Sequence, residues 1–316
     1  MSDLPPFTRL AHGITCIDTL QERPNMACCY LLERGNDLAF IETGTTPGVP
    51  RLLALLTSLG LARERVRYVI VTHVHLDHAG GAGALMAALP AATLVVHQRG
   101  ARHLIDPAKL IAGATAVYGS AHMQEMYGDI VPVPEARVRV AGDGEKLPFG
   151  EGQLLFIDTP GHARHHFSIW DDVSQGFFTG DSFGICYPEF TDAAHGAWML
   201  PTSTPVQFDP AAWLATLERY GSFAPQRMFL THFGVVEDVP RLAADLRHGI
   251  GRFVEIAAQL KAAPQRHQQL KAALFAEAKA ELRARSNAFD DERMMHLLGV
   301  DLELNAQGLA VWLDAA

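Results

Sequence analysis

The sequence predicts an α/β protein, with sheets covered by outer helices and a purely helical C-terminal part. Three observations carry this. Short β-branched runs alternate with helical spacing through the first part of the chain, and a second group of strand-like runs follows between Arg137 and His232. From about Val239 the strand signals vanish, and Ala, Leu, Lys, Arg, Glu and Gln dominate through Arg285.

In chain order, ITCID (Ile14 to Asp18), ACCYLLE (Ala27 to Glu33), LAFIET (Leu38 to Thr43), VRYVIVT (Val66 to Thr72) and TLVVH (Thr93 to His97) have the length and composition of strands. Between the third and fourth, VPRLLALLTSLG has the spacing of a helix that closes at Gly60, and AGALMAALP reads as another, ended by Pro90. The stretch from Leu104 to Tyr127 is helix-prone and too long for a plain connection. The second strand group is RVRVA (Arg137 to Ala141), QLLFIDT (Gln153 to Thr159), HFSIW (His166 to Trp170), GFFTG (Gly176 to Gly180) and RMFLTH (Arg227 to His232). Beyond Val239 a set of helices is expected, broken at Pro264, with DDERMMHLL and LAVWLDA as further pieces.

Of the 316 residues 48% are hydrophobic and 19% charged, which is globular composition with little room for a long disordered region. The formal net charge of -9 disfavours a chain-wide grip on nucleic acid or on anionic membranes. The start, MSDLPPFTRLAHG, has no apolar core behind a basic leader, and no run approaches the ~20 apolar residues that span a bilayer. A cytoplasmic protein is expected. The four cysteines fit that compartment: Cys28 and Cys29 are neighbours in a strand and face opposite ways, Cys16 and Cys186 stand alone, and none has CxxC spacing. They read as small apolar fillers, with Cys186 set slightly apart because it falls near FTGDS.

The stretch VTHVHLDHAGG, Val71 to Gly81, crowds three histidines and an aspartate into six residues directly after an apolar run. Alone it could be a solvated polar loop. Yet the tips of other strands supply partners: PGHARHH after QLLFIDT gives His162, GFFTG is followed at once by Asp181, and RMFLTH ends on His232. His73 and His75, two apart, can share one cation, while Asp77 and His78 can face a second. Imidazole nitrogen and carboxylate oxygen suit zinc, iron and manganese alike.

Five motifs in order, IETG (Ile41 to Gly44), THVHLDH (Thr72 to His78), TPGH (Thr159 to His162), FTGDS (Phe178 to Ser182) and THFG (Thr231 to Gly234), make the chain resemble the metallo-β-lactamase-fold hydrolase superfamily, in its HxHxDH, glyoxalase II-like form. The resemblance implies an αββα sandwich spanning 1–238 and a helical extension, 239–316, acting as lid or dimer contact. It implies two divalent metal ions, zinc first, with iron or manganese as alternatives. One would be held by His73, His75 and His162, the other by Asp77, His78 and His232, with Asp181 bridging. The implied reaction is cleavage of a small ester, thioester, lactone or phosphoester by a metal-bridging hydroxide, since such a pair lowers the pKa of shared water from about 15.7 toward about 7. Asp77 would also handle a proton. Relatives usually carry Asp where this chain has Glu42; that acid orients a histidine ligand, and a glutamate serves with a longer reach.

Other polar and aromatic residues receive plainer readings. His165 and His166 are neighbours of a ligand or surface residues, and His97, His103, His122 and His195 ordinary histidines. Gly80, Gly81 and Gly83 let a helix approach the metal site closely. Ser182 is a turn residue, without the GxSxG setting of a nucleophile. Tyr118, Met123, Met126 and Tyr127 either line a pocket or pack a core, and Trp198 and Met199 lean toward a pocket. The expected partner is a small-molecule substrate, with no nucleic acid and no membrane, and a homodimer as an option. The rival from another class resembles the persulfide dioxygenases, with one iron on His73, His162 and Asp181. A third class is a regulatory protein of the same fold. A secreted β-lactamase, a tRNA-processing nuclease and a flavodiiron oxygen reductase fit less well; the last places Glu where this chain has His75.

Overall fold

Short runs rich in Val, Ile, Leu, Phe and Tyr form two mixed sheets, flanked by helices, in the computed structural model, which describes residues 4–315. The readings made for Tyr118 and His122 lie outside the described residues. By contact the chain divides into two units: the first is Met1–Asp158, His165–Gly180 and Pro225–Glu237, the second Thr159–Arg164, Asp181–Ala224 and Asp238–Ala316.

The first sheet runs in chain order: β1 (Phe7–Arg9), β2 (Ile14–Asp18), β3 (Cys28–Arg34), β4 (Asp37–Ile41), β5 (Val66–Ile70), β6 (Thr93–His97) and β7 (Val138–Ala141). β1 to β4 pair antiparallel and β4 to β7 parallel. Parallel neighbours need crossovers, and these carry α1 (Val49–Ser58), α2 (Leu76–Ala79), α3 (Ala82–Ala88), α4 (Ala101–Ile105), α5 (Ala108–Tyr118) and α6 (Ser120–Tyr127). The second sheet consists of β8 (Lys146–Phe149), β9 (Gly152–Asp158), β10 (Phe167–Asp171), β11 (Gly176–Gly180) and, after a two-stranded ribbon of β12 (Ile185–Cys186) and β13 (Met199–Leu200) in the second unit, β14 (Arg227–Leu230) and β15 (Gly234–Val236). Its order is β15-β14-β11-β10-β9-β8, with β11 and β14 parallel.

Side chains alternate across a strand, so the first sheet feeds two cores. One face packs Leu31, Phe40, Val69, Leu94 and Val96 against Leu52, Leu55 and Leu56 of α1 and Leu85 and Met86 of α3. The other sets Tyr30, Leu32, Ile41, Ile70 and Val95 against Phe156, Phe167, Ile169, Phe178 and Phe229 of the second sheet. Each large side chain so buried stabilises by roughly 1.5–3 kcal/mol. Cys28 lies in the inter-sheet core and Cys29 in the helix-covered one, as alternation requires. All four cysteines are buried and reduced. Burial pushes the Cys28 and Cys29 thiols well up and Cys186 to about 11.

The strands stop earlier than their composition suggests. β4 ends at Ile41 and β5 at Ile70, before Glu42, Thr43 and Thr72. Glu42 takes a left-handed φ of 65°, which turns the chain out of the sheet. The glycines after the histidine cluster serve packing rather than the cluster itself: a Cβ on Gly83 would stand 1.8 Å from the Val131 carbonyl oxygen, and one on Gly81 3.0 Å from those of Thr43 and Thr45. Met123 and Tyr127 are buried with Leu76 in a small apolar cluster, with Met126 against it.

In the second unit, α7 (Pro210–Gly221) is capped by Asp209, whose side chain accepts the Ala212 N–H at 3.0 Å, with Pro210 in the first turn. Then come α8 (Val239–Leu260), α9 (Arg266–Ala284) and α10 (Asp291–Ala315), the break between α8 and α9 falling around Pro264. Leu270, Leu274, Ala278 and Leu282, four apart, form the buried stripe of α9. Trp198 is buried in an aromatic cluster with Tyr187 and Phe190 and donates to Glu281 at 2.9 Å, and Met199 is buried in β13, so both pack a core. No described helix is long and apolar enough to cross a membrane.

Candidate metal centre

In the first unit the chain leaves β5, bends at Thr72 and His73 and is extended at His75 before α2 begins at Leu76. That short helix, a turn where the composition suggested only loop, sets Asp77 and His78 side by side. The His73 ring lies 4.5 Å from that of His75 and 4.0 Å from that of His78. The Thr43 N–H and hydroxyl both donate to the His78 carbonyl at 2.9 Å, fixing α2 to the tip of β4. His232 arrives from the tip of β14, where the Cys28 N–H donates to the Thr231 carbonyl at 2.9 Å.

Hydrogen bonds fix which nitrogen of each ring faces the cluster. His232 Nδ1 lies 2.8 Å from the Met26 carbonyl, which only accepts, so Nδ1 carries the hydrogen and Nε2 points inward, 3.1 Å from Asp77 Oδ2. His78 Nδ1 lies 3.0 Å from Glu42 Oε1, and its Nε2 stands 3.4 Å from the same Asp77 oxygen. One donor atom from each of Asp77, His78 and His232 falls within 4.8 Å of the others. A cation among them would offset the carboxylate, and three N/O donors are a set that zinc, iron and manganese accept.

Glu42 is the anchor of this arrangement. It is 1% exposed and accepts the Thr72 N–H at 3.2 Å, the Thr231 hydroxyl at 3.3 Å, the Thr72 hydroxyl and His78 Nδ1–H. Because the single Thr72 hydroxyl hydrogen goes to Glu42, its oxygen is left to accept from His73 Nδ1, 3.1 Å away. One carboxylate thus orients His78 directly and His73 through Thr72, a supporting role of the kind expected. His166 is buried, its ring stacked on that of His73 at 4.8 Å. Gly180 has φ of 49°, and a Cβ there would meet Thr72 Oγ1 at 2.4 Å and His166 Nε2 at 2.6 Å, so the position admits only glycine.

In the second unit His162 and Asp181, both buried, lie with Nε2 and Oδ2 3.4 Å apart. His162 Nδ1 is 3.1 Å from the Thr202 carbonyl and 2.7 Å from the Thr202 hydroxyl oxygen. It therefore carries the hydrogen, and Nε2 presents its lone pair. Trp213 of α7 clamps both flanks. Its indole N–H donates to the Ser182 carbonyl at 2.7 Å, the Ser182 hydroxyl donates to the Thr159 carbonyl at 2.7 Å, and a Cβ on Gly161 would stand 2.3 Å from Trp213 Cβ. Neither α7 nor Trp213 was singled out from sequence, although Trp213, Leu217 and Tyr220 carry helical spacing behind an Asp-Pro start.

Of the seven residues proposed from sequence, the first unit draws together His73, His75, Asp77, His78 and His232, and the second brings His162 to Asp181. Of the plainer histidines, His97 is buried, with Nε2 3.2 Å from Asp158, while His195 is exposed beside Asp192.

Residues 23–232 match the family described as the Metallo-beta-lactamase superfamily. A metallo-beta-lactamase fold-containing protein of Sulfurisphaera tokodaii is 25% identical over 224 residues, 68% of this chain and 76% of that protein. An N-acyl homoserine lactonase of Bacillus cereus is 31% identical over 165 residues, 45% of this chain and 56% of the lactonase. Among solved structures, an archaeal metallo-beta-lactamase superfamily protein from Sulfolobus tokodaii superposes with a TM-score of 0.65 at 21% identity, covering 95% of this chain and 99% of that one. A flavodiiron core from Synechocystis does so at 0.58 and 14% identity, covering 99% of each. At these identities the structural likeness is one of fold. With the family match covering the strand tips that carry the histidine and aspartate donors, the chain belongs to the metallo-beta-lactamase superfamily and has its fold.

Proposed function

We propose that the protein is a dinuclear metal-dependent hydrolase of a small ester, thioester, lactone or phosphoester. The observation that carries this is the trio Asp77, His78 and His232, whose donor atoms converge while the outer nitrogens of both rings are held by Glu42 and the Met26 carbonyl. Rings held in that way waste no rotational freedom on binding a cation. His73, His75 and His162 would hold one ion, the trio the other, and Asp181 would bridge, making its carboxylate the shared negative charge between two dications. Two zinc ions, or iron or manganese, held there supply Lewis acidity and hydroxide at neutral pH.

The protein's own groups then divide the work. Glu42, Thr72, Met26 and Thr202 keep His78, His73, His232 and His162 in one tautomer through turnover. Within the trio Asp77 is the donor nearest solvent, its side chain 24% exposed while those of His78 and His232 are 0% and 7%. It can pass a proton between bulk water and the reacting oxygen or sulfur, and we assign it that role besides ligation.

Elemental analysis of protein purified without added metal, with ester, thioester, lactone and phosphodiester substrates, tests the proposal. Two metal equivalents and turnover of one class are expected, and Asp181→Ala should lose metal and hydrolysis together. Full activity in that variant would remove the bridging role. A single iron per chain with oxygen consumption would replace the hydrolase by a dioxygenase.

A further inference from the structure

In the second unit one side chain of α10 reaches the loop that holds His162. Asn305 is 1% exposed, and its amide grips both neighbours of Thr202. Its oxygen accepts the Ser203 N–H at 2.6 Å and lies 3.1 Å from the Ser203 hydroxyl, while its nitrogen donates to the Pro201 carbonyl at 3.0 Å. The Ser203 hydroxyl is also 3.1 Å from the Asn305 carbonyl. Between these pinned residues Thr202 turns its carbonyl and hydroxyl onto His162 Nδ1. One turn further along α10, Gly308 lets the helix lie on the loop: a Cβ there would stand 1.4 Å from the Ser203 carbonyl oxygen.

We infer that Asn305 is a positioning residue for His162, acting through Pro201, Thr202 and Ser203, so that α10 belongs to the support of the metal centre. The inference rests on the proposed function in treating His162 as a ligand. A buried asparagine on a helix is often a simple tie between helix and loop. Here the tie has direction, because the donor and acceptor ends of one planar amide bracket the residue whose carbonyl sets the His162 tautomer. Without that bracket the Thr202 carbonyl is free to turn, and the ring can place its hydrogen on Nε2, where it would block a cation. Losing the partner of a ligand lowers metal affinity about 10–100-fold, and Asn305 acts one residue further out, so a loss near about tenfold is expected.

The test uses full-length protein with Zn2+ as the probe. Competition with a chromophoric chelator should show Asn305→Ala weakening one of two equivalents about tenfold and leaving the other unchanged. In the metal-free state, nitrogen-correlated NMR of the His162 ring should show the Nδ1–H tautomer in the parent and a mixture in the variant. Leu298→Ala, which opens a cavity elsewhere on α10, should lower stability without changing either readout. Should Asn305→Ala fail to fold, Asn305→Asp decides, since it keeps the acceptor for Ser203 and sets a carboxylate oxygen against the Pro201 carbonyl in place of the donor, and a shift in the same direction in both readouts is expected. Unchanged zinc affinity and tautomer in a folded Asn305 variant would overturn the inference while His162→Ala still loses zinc. If His162→Ala keeps both equivalents at parental affinity, the proposed ligand set fails first and the inference falls with it.

Discussion

Replacing Glu42 by glutamine keeps the shape of the anchor and removes its charge. The carboxylate accepts His78 Nδ1–H and two threonine hydroxyls at Oε1 and the Thr72 backbone N–H at Oε2. An amide has one acceptor oxygen. Hydroxyls can rotate but the backbone N–H and the imidazole cannot, so the amide oxygen stays with His78 and its NH2 faces the Thr72 N–H. One buried donor is then orphaned, at about 1–3 kcal/mol. The remaining bonds lose their charge assistance, which roughly halves them. Together Glu42→Gln should destabilise the metal-free protein by about 2–4 kcal/mol. It should also weaken zinc about 10–100-fold at the site fed by His78. Guanidinium unfolding without metal reads the first and chelator competition the second. A variant within about 0.5 kcal/mol of the parent, with zinc affinity unchanged, would refute the account of Glu42 as the anchor of His78 and His73.

Gly180→Ala should lose about 2–4 kcal/mol, from overpacking against Thr72 and His166 and from the left-handed backbone, whereas Gly142→Ala, with nothing within 4 Å of the added Cβ, should stay within about 0.5 kcal/mol in the same unfolding assay. Between α9 and α10, the Lys271 ammonium at 2.8 Å, aided by Gln307 and His267, holds the Glu303 carboxyl down at about 2. A depressed carboxyl stabilises above its ordinary range near 4.3 and loses that contribution as pH falls toward 2. The group is largely solvent-screened, so Glu303→Gln should cost only about 0.5 kcal/mol at pH 7, a difference that urea unfolding should find gone near pH 2.

Much of this was readable from sequence because strand tips carry the donors, and tips are marked by where an apolar run meets a polar residue. TLVVH and GFFTG became β6 and β11 with the expected bounds, since each is flanked by turn-forming residues. β8 was not foreseen: KLPF is short and contains Pro148, which argues against a central strand, and it is tolerated because β8 is the edge of its sheet. β1 is also an edge, three exposed residues with no apolar alternation to read. The ligand candidates were legible as residue types, but the supports other than Glu42 were not. Thr202 and Asn305 are ordinary polar residues in sequence, and only packing across 102 positions between Ser203 and Asn305 gives the latter its contact. Glu42 was legible because it lies next to a strand end, while its hold on His73 through Thr72 depends on a hydroxyl orientation that no spacing encodes.

The tie between Asn305 and the loop at Thr202 also has a consequence in time. A ribosome delivers His162 and Thr202 long before the asparagine that steadies them, so during synthesis the histidine is present without its brace. Zinc offered to such a nascent chain meets an imidazole free to bind in either orientation. Under the proposed ligand set, correct loading at His162 is therefore expected to follow the arrival of α10.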